Sequence, residues 1–326
     1  MQLQKDFPLK NSLWYKIGGS AKYLITCKSR EEILEAFEFI KDNKIDKVFV
    51  VGLGTNLLFS DDYFDGVVIQ IAKGDKGDED IGILGDGLVE VFAGITMEDL
   101  ISSSFDQGLV GFEWAGGLPG TVGGAVRGNA GAYGGEIKDN LVSAEILDYS
   151  SGEIVIKTLT NEQLQFSYRN SFIKQNKKMV VLSAKFQLQK TDEEGLVKVR
   201  EIRDKNTQNR KDKHPLEYPN TGSVFINPRE KEQVEKILSI YPDMRADVEQ
   251  KWYGKVAVAS LIDRWGLKGF RVGDAQISEK HALFIVNLGN AKATDVLQAI
   301  DTVKKKFLDT FGFELHVEVE IVNGVK

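Results

Sequence analysis

Residues 116–135 read GGLPGTVGGAVRGNAGAYGG, and glycine fills nine of these twenty positions. Pro119, Arg127, Asn129 and Tyr133 interrupt the glycines, so the tract is not a repetitive flexible linker. Glycine at this density permits positive φ angles and a close approach of the backbone to another group. The tract therefore predicts a loop that holds a ligand through its backbone, with an irregular Ω-loop as the alternative.

A second glycine turn lies earlier in the chain, at Gly52-Leu53-Gly54-Thr55-Asn56-Leu57, directly after a predicted buried strand at 47–51. Leu57 stands where a Rossmann fingerprint needs glycine, so the GxG pattern alone is weak evidence for a dinucleotide site. The chain has no GxxxxGK[ST] motif, which excludes a P-loop NTPase. Taken together, the two glycine-rich loops could donate backbone N–H groups to a pyrophosphate.

Composition excludes several classes of protein. The chain has 326 residues, 42% of them hydrophobic, and a net charge of −6, which gives no reason to expect nucleic-acid binding. Cys27 is the only cysteine, so neither an internal disulfide nor a cysteine zinc cluster is possible. The three histidines show no metal-binding spacing, and no apolar run approaches membrane length. We therefore expect a cytoplasmic protein without metal or membrane association, and the length predicts two domains, with three as the alternative.

The elements predicted along the chain alternate between short strands and helices, which favours an α+β fold. Val296, Ile300, Val303 and Phe307 form one apolar stripe on a predicted helix at 294–311. The polar segment 189–214 is predicted to join the two domains. Residues 314–322 alternate apolar and polar side chains, which predicts a half-buried final strand.

Charged and polar residues in the second half offer weaker signals. The segment 198–213 has seven basic and three acidic residues, which suits an anionic ligand or a solvated helix face. Arg169, Ser223 and Glu318, judged by spacing alone, are a surface ion-pair partner, a turn serine and a solvent-exposed carboxylate.

Eight segments, in order, resemble the UDP-N-acetylenolpyruvoylglucosamine reductase (MurB) family of bacterial cell-wall synthesis. They cover nearly the whole chain and lie at residues 16–21, 52–58, 117–126, 129–134, 166–171, 215–225, 267–281 and 318–321. The short run from Tyr168 to Ser223 resembles the subclass that lacks a tyrosine-bearing capping loop.

The resemblance implies an FAD-binding domain of the vanillyl-alcohol-oxidase type over residues 1–190, in lobes of about 1–66 and 67–190. A smaller α+β substrate domain would cover residues 191–326, and its final strand, 314–322, would bring a catalytic glutamate to the flavin. NADPH would reduce a non-covalent FAD, which would pass hydride to UDP-N-acetylglucosamine enolpyruvate and give UDP-N-acetylmuramate. A monomer is expected.

The resemblance also assigns residues. Arg169 and Glu318 would polarise the substrate carboxylate, and Ser223 would supply the proton. FAD would be held by Gly52, Leu53, Gly54, Thr55, Asn56, Leu57, Pro119, Gly120, Thr121, Gly123, Gly124 and Ala125. The substrate would be bound by Tyr133, Arg210, Lys211, Lys213, Asn227 and Lys280, with the basic residues suited to the UDP pyrophosphate.

Three positions depart from the family pattern. Thr55 replaces a commoner serine, Ile226 stands where many members carry lysine, and Asp274 replaces a frequent glycine. Two alternatives stay open: another FAD-dependent oxidoreductase on the same scaffold, or a non-catalytic UDP-sugar-binding protein. No histidine precedes His214, and Cys27 lies outside the glycine loops, which argues against the covalent flavin common in the first alternative.

Overall fold

A computed structural model describes residues 1–74 and 80–322 of the chain. In that part of the chain the helices are α1 (Arg30–Asp42), α2 (Met97–Asp106), α3 (Val122–Gly128), α4 (Phe172–Gln175), α5 (Glu193–Lys213), α6 (Lys231–Ile240), α7 (Arg245–Gln250), α8 (Val258–Arg264) and α9 (Ala293–Phe311). The first strands are β1 (Gln2–Pro8), β2 (Ser20–Cys27), β3 (Val48–Val51), β4 (Leu57–Phe59), β5 (Phe64–Ile71), β6 (Ile81–Gly85), β7 (Leu88–Phe92), β8 (Leu109–Val110) and β9 (Gly131–Ala132). The remaining strands are β10 (Gly135–Glu136), β11 (Leu141–Asp148), β12 (Val155–Thr160), β13 (Met179–Gln187), β14 (Gln189–Lys190), β15 (Arg271–Val272), β16 (Ala275–Ile277), β17 (Ile285–Asn287) and β18 (Glu320–Val322). The predicted α+β class is confirmed.

The chain divides into two compact units, each built from three separate stretches of sequence. The first unit contains residues 1–7, 21–53 and 65–212, and the second contains residues 8–20, 54–64 and 213–326. The sequence predicted one boundary at residues 190 and 191, whereas the compact units change over at residues 212 and 213. Two early segments also belong to the second unit.

The first unit is built on two larger sheets. One has the strand order β1-β2-β5-β3, and the other has the order β12-β11-β13-β7-β6. In the first sheet β3 and β5 are parallel, with Val48 opposite Val67. One hydrophobic cluster fills this unit and takes residues from α1, α2, α3 and both sheets. Helix α1 begins after Ser29, whose side chain accepts a hydrogen bond from the Glu32 N–H, as its sequence predicts.

The second unit packs α6, α8 and α9 with the antiparallel sheet β15-β16-β17 around its own core. The predicted α9 stripe is confirmed, because Val296, Ile300, Val303 and Phe307 are all buried. Tyr15, from an early segment, is buried in the same core and donates its hydroxyl to the Ile285 carbonyl oxygen at 2.9 Å.

The polar segment 189–214, which was predicted to join the two domains, contains the change from the first unit to the second at residues 212 and 213. Most of it forms the 21-residue helix α5, which belongs to the first unit up to Asp212. Polar contacts anchor this helix. Arg203 pairs with Glu98 at 2.8 Å, and the Asn206 side-chain amide donates to the Glu113 carbonyl oxygen at 3.1 Å. A helix held in this way shows no apolar stripe, so hydrophobic periodicity does not reveal it.

The final strand is shorter than predicted. Only Glu320–Val322 form a strand, which pairs in parallel with Leu57–Phe59. The preceding residues make a single antiparallel bridge, Val317 to Phe225, and Ile321 is exposed rather than half-buried. The alternation of the sequence is therefore real at Leu315 and Val319, which are buried, but it does not extend over one continuous strand.

Candidate functional site

The glycine turn after β3 leaves backbone donors available. The N–H groups of Leu53, Gly54 and Thr55 make no hydrogen bond to any residue in the described ranges. Gly54 has φ 72°, a left-handed conformation that glycine adopts without strain. A run of amides free of internal partners is what a backbone site for an anion requires.

The glycine tract contains a short helix that its sequence did not predict. Helix α3 begins after Thr121, whose hydroxyl accepts the Gly124 N–H at 3.4 Å. Its other early amides are also used: Val122 donates to the Ile95 carbonyl oxygen at 2.8 Å and Gly123 to that of Ala93 at 2.9 Å. These amides hold the helix to its neighbours, so any ligand contact here falls to other groups, such as the exposed Pro119 and Gly124.

The two predicted cofactor loops touch through glycine. A Cβ added to Gly52 would overlap Thr121 Oγ1 and lie 3.1 Å from its Cγ2, and a Cβ on Gly123 would lie 2.9 Å from the Ala93 Cβ. The nearest atom to a Cβ added to Gly124 would be Thr121 Oγ1, at an ordinary contact distance of 3.5 Å. Gly52 and Gly123 are thus required for packing inside the protein, whereas Gly124 leaves an open surface.

Past α3 the tract turns through a hairpin that carries Tyr133. Ala132 pairs with Gly135, and the two loop residues, Tyr133 and Gly134, have φ 48° and 91°. Two positive φ angles are typical of a type I′ turn, where a bulky residue such as tyrosine is strained. Strain of this kind is often kept at functional positions.

The Tyr133 ring lies over the guanidinium of Arg210, with 5.2 Å between the Arg210 Cζ and the ring centroid. Arg210 is only 8% exposed; its Nε donates to the Gly116 carbonyl oxygen at 3.0 Å, and its Nη2 has no hydrogen-bond partner among the described residues. Burial lowers the pKa of Arg210, and the charge of Arg169 adds to this effect. A buried guanidinium with an unused donor is suited to an anionic ligand.

The expected basic surface patch is therefore different in the structure. Arg210 is buried, and three of its neighbours on α5 are neutralised by carboxylates: Lys198 by Glu194 at 2.7 Å, Arg200 by Asp106 at 3.3 Å, and Arg203 by Glu98. Lys211 and Lys213 are exposed near the end of the helix. The predicted substrate ligands Arg210, Lys211 and Lys213 therefore do not form one exposed surface, because Arg210 is buried.

Arg169 is presented at the tip of a tight turn in the first unit. Ser167 and Asn170 exchange two backbone hydrogen bonds of 3.1 Å, and Arg169 between them has φ 57°. The Lys174 ammonium donates to the Arg169 carbonyl oxygen at 2.7 Å, which holds the turn from behind. The guanidinium lies 5.4 Å from the centroid of the Tyr168 ring. A non-glycine residue held at positive φ indicates a fixed and costly conformation.

In the second unit the segments that carry Ser223 and Glu318 lie side by side and are joined by a backbone hydrogen bond. The Glu318 N–H donates to the Val224 carbonyl oxygen at 2.8 Å. Asn56 holds the same segment, because its Nδ2 donates to the Glu318 carbonyl oxygen at 3.3 Å and its own carbonyl accepts the Glu320 N–H at 3.1 Å. Asn56, predicted to bind FAD, therefore has a positioning role that its sequence did not show.

Ser223 follows a turn that is fixed by Asn220. The buried Asn220 accepts the Gly222 N–H at 2.9 Å through its Oδ1, and Gly222 has φ 75°. Ser223 itself is half-buried. The turn thus presents a hydroxyl that no base among residues 1–74 and 80–322 activates through a hydrogen bond.

Two other predicted substrate residues have structural contacts. Asn227 Oδ1 accepts the Val258 N–H at 3.0 Å at the start of α8, which leaves its amide NH₂ for a ligand. Lys280 is exposed, with its Nζ 3.9 Å from Glu217. Neither contact tests the predicted role.

His281 is a half-buried titratable residue for which the sequence predicts no role. Burial lowers its pKa, and the charges of Lys268 and Lys213 lower it further. Its Nδ1 accepts the Leu283 N–H at 3.2 Å, and its ring lies edge-on to that of His214 with centroids 5.5 Å apart. The low pKa favours a neutral imidazole at neutral pH.

Within residues 1–74 and 80–322 no helix is long and apolar enough to cross a membrane. The same residues contain no group of three or more histidine, cysteine, aspartate or glutamate side chains arranged for a metal ion.

Two family models match this chain. Residues 21–157 match an FAD-binding domain, and residues 214–322 match the C-terminal domain of UDP-N-acetylenolpyruvoylglucosamine reductase. The free amides of residues 53–55 are of the kind that hold the phosphates of such a cofactor.

Several UDP-N-acetylenolpyruvoylglucosamine reductases match this chain along nearly their whole length. The chain is 38% identical to UDP-N-acetylenolpyruvoylglucosamine reductase of Caldicellulosiruptor bescii over 322 residues, covering 99% of this chain and 91% of that protein. It is 37% identical to the enzyme of Bacillus subtilis over 317 residues, covering 97% and 93%. The crystal structure of the Thermus caldophilus enzyme matches with a TM-score of 0.74 at 29% identity, covering 99% of both chains.

Proposed function

The chain belongs to the UDP-N-acetylenolpyruvoylglucosamine reductase family, and from this premise we propose that it performs the family reaction through Arg169, Ser223 and Glu318. It is an FAD-dependent oxidoreductase that acts on a CH–CH bond in peptidoglycan precursor synthesis. The reaction reduces the enolpyruvyl double bond of UDP-N-acetylglucosamine enolpyruvate to give UDP-N-acetylmuramate. The observation that carries this conclusion is the identity of 35–38% along almost the whole chain.

FAD, when bound, supplies hydride transfer from NADPH to the substrate double bond. We assign its phosphates to the free amides of residues 53–55, and its other contacts to the exposed face of the tract at Pro119 and Gly124. Because the chain has one cysteine, buried with its pKa raised by burial to about 12, and no histidine before His214, the flavin is held without a covalent bond.

Arg169 binds the substrate carboxylate in this proposal. Negative charge that develops next to this group during reduction is delocalised into it, and a fixed guanidinium stabilises that charge with two parallel hydrogen bonds. The support is the Ser167–Asn170 turn, which fixes the backbone of Arg169 before any ligand arrives. Glu318 acts on the same carboxylate as a hydrogen-bond donor in its protonated form.

Ser223 delivers the proton that completes the reduction. A hydroxyl is a weak acid, but a strongly basic carbon needs only a donor that is correctly placed. The turn at Asn220 and Gly222 supports this role, because it orients the hydroxyl without activating it as a nucleophile. The exposed Lys211, Lys213 and Lys280, together with Asn227, remain our candidates for the UDP portion, and Tyr133 and Arg210 for an anionic group of the substrate.

The first experiment measures NADPH oxidation by the yellow holoenzyme with and without UDP-N-acetylglucosamine enolpyruvate. Substrate-dependent oxidation is the expected result, whereas oxidation that is unaffected by this substrate would contradict the proposal. A protein without flavin colour that binds the UDP-sugar would indicate the non-catalytic alternative.

The second experiment separates the two half-reactions by stopped-flow absorbance. Ser223→Ala should accept hydride from NADPH at a near-normal rate but lose about two to four orders of magnitude in flavin reoxidation by substrate, the scale of a general acid. Ser239→Ala, which changes an exposed serine of the second unit, is the matched control. Reoxidation of Ser223→Ala at the wild-type rate would transfer the proton-donor role to another group, with Glu318 next.

We also propose a monomeric enzyme in the cytoplasm, where UDP-sugars and NADPH are present. Sedimentation of the purified holoenzyme and fractionation of the producing cells test the two statements separately.

A further inference from the structure

Glu136 is a half-buried carboxylate close to the Arg169 turn, and no step of the reaction described above uses it. Its Oε2 accepts a hydrogen bond from the Asn129 side-chain amide at 2.8 Å and pairs with the Lys138 ammonium at 3.1 Å. Burial acts to raise the pKa of Glu136, but these two partners and the charge of Arg169 outweigh it, so the pKa is lowered. The group is therefore a fixed negative charge at neutral pH.

Asn129 connects this carboxylate to the backbone of the turn. It is 1% exposed and ends α3 in the left-handed conformation, with φ 43° and ψ 59°. Its Nδ2 donates to Glu136 and also to the Ser167 carbonyl oxygen at 3.0 Å, while its Oδ1 accepts the Lys138 N–H at 3.2 Å. One buried amide thus fixes Glu136 relative to the turn that carries Arg169.

Gly131 shows that the two side chains share one small space. A Cβ built on Gly131 would lie 2.9 Å from the Glu136 Cγ and 3.4 Å from the Arg169 Nη1. The Glu136 Cγ and the Arg169 Nη1 therefore lie near the same open point above a residue that has no side chain. A guanidinium carries five donors in a rigid fork, and the negative charge of Glu136 nearby, which the charge of Arg169 stabilises, favours one orientation of that fork.

We propose that Glu136 is a positioning residue that holds the Arg169 guanidinium in the orientation in which it receives the substrate carboxylate. This inference rests on the proposed role of Arg169. Without the charge of Glu136 the guanidinium samples other rotamers, and each turnover must select the productive one.

The direct test compares Glu136→Gln with Glu145→Gln in the holoenzyme. Glu145 is a suitable control because its carboxylate pairs with Arg30 at 2.7 Å in the same unit. The two side chains are also similarly exposed, Glu145 by 26% and Glu136 by 29%. Glu136→Gln should reduce the rate of flavin reoxidation by substrate about 10- to 100-fold, the effect of misplacing a reacting group. Reduction of the flavin by NADPH, flavin content and thermal midpoint should match those of Glu145→Gln.

Rescue by a small guanidinium ion provides a measurement that a purely structural role would not change. Arg169→Ala should recover part of its reoxidation rate when guanidinium is added, because the Glu136 carboxylate still offers a site for that cation. In Arg169→Ala/Glu136→Gln the half-saturating guanidinium concentration should rise about tenfold, as expected when a charge-assisted hydrogen bond is lost. Glu136→Asp, which keeps the charge on a shorter side chain, should show an intermediate loss and serves if Glu136→Gln does not fold.

The outcomes separate this inference from the proposed function. A wild-type protein that does not reduce the substrate would overturn the proposed function itself. An active wild type with equal reoxidation rates in Glu136→Gln and Glu145→Gln, or with guanidinium rescue independent of Glu136, would overturn only the positioning role.

Discussion

Gly52→Ala should destabilise the first unit through a single contact with Thr121. The new Cβ would overlap Thr121 Oγ1 and lie 3.1 Å from Cγ2 and 3.3 Å from Cβ of the same residue. Overpacking of this kind costs about 1–3 kcal/mol. Gly52 has no positive φ, so alanine also removes about 0.4–1 kcal/mol of unfolded-state entropy, which offsets part of the cost. The free energy of unfolding should therefore fall by about 1–2 kcal/mol.

The second substitution, Thr121→Ala, removes the atoms that the new methyl group would strike. Alone, it removes the N-cap of α3 and should cost about 1 kcal/mol. In Gly52→Ala/Thr121→Ala the loss should be close to that of Thr121→Ala alone, because the two nearest atoms, Thr121 Oγ1 and Cγ2, are gone. The contact that remains, 3.3 Å to the residue 121 Cβ, is relieved by a shift of a few tenths of an ångström. The two changes should thus be coupled by about 1–2 kcal/mol.

Urea denaturation of the flavin-free protein measures this cycle without a contribution from the cofactor. Gly128→Ala is the control, since a Cβ at this helix position meets nothing within 4 Å and alanine favours the helix. Additive losses within about 0.5 kcal/mol would refute the packing argument and return Gly52 to a role in ligand approach alone.

Three further predictions concern buried groups and the cofactor. Arg210→Met should leave the free energy of unfolding of the flavin-free protein within about 1 kcal/mol of wild type, because burial already disfavours the Arg210 charge. The same substitution should raise the KM for substrate. A large loss of stability with an unchanged KM would show that Arg210 is structural. His281 has a lowered pKa, so the unfolded chain binds more protons than the folded one below about pH 6.5, and the free energy of unfolding should fall from pH 7.5 to pH 5. His281→Asn keeps an acceptor for the Leu283 N–H and should flatten this dependence in calorimetric scans; an unchanged slope would assign the dependence to other groups. Acid precipitation should release the yellow flavin into the supernatant, and colour retained in the pellet would contradict non-covalent binding.

Elements with an apolar period were predictable from sequence, and those held by polar or backbone contacts were not. Helix α9 spans residues 293–311 against a predicted 294–311, and its apolar stripe is buried as the spacing indicates. Helix α3 contains three glycines, each of which disfavours a helix by about 1 kcal/mol, and it exists because Ile95 and Ala93 accept its amides. Such tertiary hydrogen bonds leave no pattern in the local sequence.

The candidate site divides in the same way. The residue types of Arg169, Ser223 and Glu318 could be taken from the ordered motifs, and their catalytic roles remain predictions. The left-handed turn at Arg169 and the burial of Arg210 could not be predicted, because a charge run gives no information on which member faces the interior. The link from Glu136 to the turn depends on one buried amide, Asn129, which joins residues distant in sequence.

The parallel pairing of β4 with β18 has a consequence for synthesis on the ribosome. Leu57 is paired with Glu320, which lies 263 residues later in the chain. At typical translation speeds this interval takes about 13 to 53 s, during which the β4 segment has emerged before its partner strand exists. The first unit can begin to fold early, since its last segment ends at residue 212. The apolar residues Leu58 and Phe59 cannot pair with their partner strand until residues 320–322 have been synthesised. The nascent protein therefore exposes a hydrophobic segment for tens of seconds, and a chaperone that binds nascent chains is suited to cover it.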